Sequence, residues 1–95
     1  LGGCASFDKT VATGYGLNIV SRDLSTELMN GHKLSSADGK RIKKVNDEVS
    51  DGLWKAWQIR KTYPDSAKAT AKQYLGTVKE VFNYLKEKEA SNGGN

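Results

Sequence analysis

Cys4 and His32 are the residues best equipped for chemistry, and each is the sole example of its type in the chain. A catalytic role for His32 would require a nucleophile or ligand partner, and the sequence offers none near it. One cysteine excludes an internal disulfide framework, and one histidine excludes the Cys-plus-His zinc clusters. His32 falls in Asn30–Ser36, a stretch of turn formers, and reads as a loop residue. Gly14-Tyr15-Gly16 is not a phosphate loop, because no strand precedes it and no Lys-Ser or Lys-Thr follows in register. The carboxylates sit on polar helix faces with no cleft to desolvate them, so paired acid–base catalysis is not indicated. No enzyme, metal or cofactor is expected.

The surroundings of Cys4 carry more. Leu1-Gly2-Gly3-Cys4, followed by Ala5-Ser6, is an aliphatic residue and two glycines leading to a thiol. Such a run is slim enough to thread a peptidase cleft. It resembles the lipobox of bacterial lipoproteins. The resemblance implies that Cys4 takes a diacylglycerol on sulfur and becomes the acylated first residue. Palmitate-type chains would then anchor it, each buried methylene adding about 0.8 kcal/mol of membrane affinity. Ala5 stands where many lipoproteins of the inner membrane carry aspartate. The resemblance therefore implies the inner leaflet of the outer membrane, with the protein facing the periplasm. The layout, a lipobox and then a compact helical hairpin, is similar to small lipoproteins of temperate phages and prophages. That similarity implies superinfection exclusion or modulation of another envelope protein.

Ninety-five residues make one domain, and a chain of this size buries only roughly 60–65% of its unfolded surface. A single helical core fits; a deep substrate pocket does not. The net charge of +4 favours anionic partners without naming one. No apolar run approaches the ~18–20 residues of a membrane span.

Residues 1–7 read as lipobox and tether, 8–90 as a helical domain and 91–95 as a disordered tail. A first helix is expected after Asp8 or only after Gly16, with Leu17, Val20, Leu24 and Leu28 on its buried face. Asn30-Gly31 should end it, since both residues tolerate left-handed backbone. Ser35 or Ser36 opens a second helix, whose seam is Ile42, Val45, Val49, Gly52, Ala56, Ile59 and Tyr63. Pro64 stops that helix and starts a third, with Ala67, Ala71, Tyr74, Val78, Val81 and Leu85 inward and Leu75 and Phe82 widening the stripe. The expected fold is all-α: a three-helix bundle dominated by one long antiparallel hairpin, the first helix shorter and covering the groove. The same seam is equally satisfied between two chains, so a homodimer is an alternative.

Trp54 points nearly opposite the second helix's seam. Either the first helix or the N-terminal segment folds over it, or the ring stays bare and forms a binding patch with Gln58 and Lys61. Lys68, Lys72, Lys79 and Lys86 share a narrow arc of the third helix on the order of 27 Å long. They form either a basic stripe for head groups or phosphates, or stems covering the core's border. Lys40-Arg41-Ile42-Lys43-Lys44 is followed by acids that predict Lys43–Asp47, Lys44–Glu48 and Asp51–Lys55 pairs. That run reads as a solvated face, with no recognition-helix geometry for DNA. The functional expectation is a lipid-anchored protein whose helices bind or occlude an envelope protein. The alternative is a soluble basic helical protein bound to nucleic acid or a virion component.

Overall fold

The computed structural model describes the backbone of residues 2–93 and the side chains of residues 6–90. Three helices account for nearly all of it: α1 (Gly2–Asn30), α2 (Ser36–Ile59) and α3 (Pro64–Gly93). Two short turns join them, so the chain runs up, down and up as an all-α three-helix bundle. The result is a rod of 50 × 22 × 15 Å.

The α2–α3 hairpin is present, and α1 matches it in length, at 29 residues against 24 and 30. The expected tether and late start are corrected here. Helix α1 begins at Gly2, and Phe7 is buried in the core. The ring of Phe7 supplies the reason, because it lies parallel to Trp57 at 6.2 Å between centroids and holds the segment in place. The tail assigned to residues 91–95 is likewise helical through Gly93, with 94–95 outside the described residues.

Helix α1 buries Phe7, Val11, Gly14, Asn18, Ser21, Ser25 and Leu28, a heptad spacing of 4-3-4-3-4-3. Leu24 is buried beside this line and Leu17 is half-buried, but Val20, expected inside, is 48% exposed. Glycine explains how so modest a face packs. A Cβ at Gly14 would lie 2.9 Å from a Leu53 methyl, so its absence lets Leu53 rest directly on the α1 backbone. Tyr74 of α3 lies on the backbone of Gly52 in the same way.

The core falls into two apolar clusters. Phe7, Val11, Val49, Leu53, Ala56, Ala67, Ala71 and Val78 form one. Leu24, Leu28, Leu34, Ile42 and Leu85 form the other, nearer the α1–α2 turn. By position along α1 and α2, Asn18, Ser21 and Asn46 fall between them. All three are buried.

The turns follow from local chemistry. Gly31 N–H still donates to Glu27 O, so helical bonding persists past Asn30. The reversal falls on His32 instead, at φ 60°, and not on Asn30 or Gly31 as expected. His32 N–H donates to Met29 O and Lys33 N–H to Leu28 O, which together make a Schellman ending. Ser35 caps α2, its Oγ accepting from Asp38 N–H at 3.1 Å. Helix α2 ends at Ile59, four residues short of Tyr63, and Tyr63 is 60% exposed and not a seam residue. The residue before a proline avoids helical backbone, and the chain leaves α2 one turn early to meet that restriction.

Candidate functional site

Two tryptophans one turn apart on α2 have opposite fates. Trp57 is half-buried, stacked on Phe7, with the Arg60 guanidinium 3.8 Å from its ring centre. Arg60 Nη1 also donates to Trp57 O at 2.6 Å. This anchors the end of α2. Trp54 is 55% exposed and has no ring partner among the described residues. Of the two outcomes left open by its position, the bare ring is the one found. Among the described residues, α1 does not cover it.

Gln58 shares the exposed face one turn on. Lys61 is exposed too, but it lies in the α2–α3 turn and not on the helix, because α2 stops at Ile59. Beside this face, the Tyr15 hydroxyl donates to Ser50 O at 3.4 Å, tying α1 to α2. Burial, with a smaller contribution from the Asp51 carboxylate, raises the Tyr15 pKa above the ordinary phenol value. The phenol therefore stays a neutral donor.

On α3, Lys72, Lys79 and Lys86 are exposed and Lys68 is half-buried. Lys86 pairs with Glu89 at 2.8 Å, and that hydrogen bond and charge hold the Glu89 carboxyl below its usual range. Leu75 and Phe82, beside the stripe, are half-buried. The lysine stems thus border the core while most of their ammonium groups remain in water.

The basic run at the start of α2 is partly neutralised, as its acids suggested. Lys43 reaches Asp47 at 3.3 Å and Arg41 reaches Asp38 at 3.8 Å. The expected Lys44–Glu48 and Asp51–Lys55 pairs are not among the ion pairs of the described residues. A cross-helix pair takes part instead, Arg22 to Asp47 at 3.0 Å. Spacing along one helix could not reveal it.

Sequence reasoning also missed a cleft between α1 and α2. It has a volume of about 450 Å³ and is lined by Arg22, Ser25, Met29, Lys40, Lys43 and Asn46, among others. Asn18 Nδ2 donates to Asn46 O at 2.9 Å nearby. Both polar atoms of the Asn46 amide lack a hydrogen-bond partner, as do Asn18 Oδ1 and Ser21 Oγ. The one available signal was Asn46 itself, a polar residue between Ile42 and Val49 on the inward face.

His32 is exposed in its turn. Among the described residues, no group of histidine, cysteine and carboxylate side chains is arranged to hold a metal. The Cys4 side chain lies outside the described residues. Among the described residues, no helix is long and apolar enough to cross a membrane. No protein-family model, curated protein or solved structure matches the chain.

Proposed function

We propose that this protein is an envelope lipoprotein, acylated at Cys4, whose bundle docks against another envelope protein through the Trp54 face. The observation that carries the docking is the exposed Trp54 ring on a helix whose end is packed through its neighbour Trp57. Leaving an indole in water forgoes roughly 1.5–3 kcal/mol of burial. Tryptophan is also the residue most enriched where interfaces concentrate their energy. Gln58 and Lys61 supply a polar rim.

The anchor rests on Leu1-Gly2-Gly3-Cys4 and its likeness to a lipobox. Acyl chains at Cys4 would confine the bundle to the inner leaflet of the outer membrane, facing the periplasm. Confinement raises the effective concentration of the Trp54 face at any partner in that membrane. Occlusion of such a partner, as in phage exclusion, then needs no catalytic group.

A photoreactive residue at position 54 tests this in cells producing the full-length protein. It should crosslink to one discrete envelope protein, while the same probe at Asn83 on exposed α3 should not. Absence of an adduct at 54 overturns the docking face. The second reading, a soluble protein bound to nucleic acid or a virion component, draws on the stripe of Lys68, Lys72 and Lys79, which have no ion-pair partner among the described residues. It predicts affinity for duplex DNA that falls steeply with salt.

A further inference from the structure

The α1–α2 cleft combines four features that have no role in the docking face. Its volume of about 450 Å³ falls within the ~300–1,000 Å³ typical of small-molecule sites. Three cations line it: Arg22, Lys40 and Lys43. One carboxylate answers them, Asp47, with one oxygen 3.0 Å from Arg22 and the other 3.3 Å from Lys43. Lys40 has no ion-pair partner among the described residues. Three cations against one acid leave an excess of two positive charges.

Buried polar groups form one wall. Asn46 is 1% exposed, lines the cleft, and has neither a donor nor an acceptor for its amide. Ser25, 4% exposed, lines it as well. A buried amide without partners costs about 1–3 kcal/mol, and an apolar residue of similar shape would avoid that cost. Local rules are most often broken where a protein binds something. Met29 adds an apolar side chain to the lining. Met29 lies so close to Gly39 that any side chain there would collide with its sulfur.

From these features we infer that the cleft binds a phosphomonoester carrying a compact apolar substituent. The dianion matches the excess of two positive charges. Arg22 and the two lysines hold its oxygens, the Asn46 amide takes a polar atom next to the phosphate, and the substituent rests on Met29. The phosphate can belong to a soluble metabolite-sized ester or to the headgroup of phosphatidic acid.

Titration of the isotope-labelled full chain with phenyl phosphate tests the site, followed by NMR. Saturable shifts should centre on the Asn46 side-chain amide and the backbone of residues 22–29 and 36–46. Inorganic phosphate should bind at least tenfold more weakly, because it leaves the Met29 side chain unused. K40Q with K43Q should weaken phenyl phosphate at least tenfold, and both positions are exposed, so folding is retained. N46L should fold and lose the ligand. Vesicles containing phosphatidic acid should displace phenyl phosphate if the headgroup is the source, and leave it bound if a soluble ester is. Non-saturable shifts spread over all the lysines, or equal affinity for phenyl and inorganic phosphate, would overturn the inference. So would full binding by N46L.

Discussion

Phe7 and Trp57 stack with their planes 14° from parallel, and this contact joins the first turns of α1 to the last turn of α2. It decides which tryptophan is structural. Removing the Phe7 ring should cost about 3 kcal/mol, as for other large buried aromatic deletions. Urea unfolding of Phe7→Ala measures it. A loss below about 0.5 kcal/mol would mean that the N-terminal segment is not part of the core.

The contrast between the two indoles is directly measurable. The Trp57→Phe variant retains only Trp54, and its fluorescence should be red-shifted and strongly quenched by acrylamide. The Trp54→Phe variant retains only Trp57 and should be blue-shifted and protected. Trp54→Ala should change stability by no more than ~0.5 kcal/mol, as expected for an exposed position. Unfolding of that variant would return Trp54 to the core.

Much of the bundle is legible in the sequence, and the failures over the α1 face and the cleft have one cause. Helices α2 and α3 announce themselves through aliphatic residues at alternating three and four spacing, from Ile42 to Ile59 and from Ala67 to Leu85. Helix α1 has an equally regular inward face, but glycine, asparagine and serine occupy its middle positions. A search for apolar periodicity therefore finds Val20, which faces solvent, and passes over Ser21, which does not. The small residues are inward because Leu53 must rest on Gly14, a relation that only the folded pair of helices reveals. The cleft was hidden for the same reason, since Arg22 and Asp47 belong to different helices.

The glycines separate by surroundings. Gly16 and Gly76 lie within helices with nothing near the position of an added Cβ. Alanine at either should stabilise by about 0.5–1 kcal/mol. Gly52→Ala should destabilise by about 1–3 kcal/mol, because its Cβ would enter the Tyr74 ring. Thermal unfolding of the three variants gives the signs, and a stabilising Gly52→Ala would contradict the α2–α3 packing.

His32 holds a left-handed backbone at φ 60°, which glycine adopts without strain. His32→Gly should raise stability by about 0.5–1 kcal/mol at neutral pH. Chemical denaturation checks this, and a destabilised variant would show that the imidazole makes a contact worth more than the strain.

The functional account stands on Cys4. Intact mass measurement of the protein recovered from the membrane fraction of its native cell tests that most directly. The account predicts a chain beginning at Cys4 and carrying diacylglycerol with a further acyl group. A free thiol on protein found in the soluble fraction would contradict it.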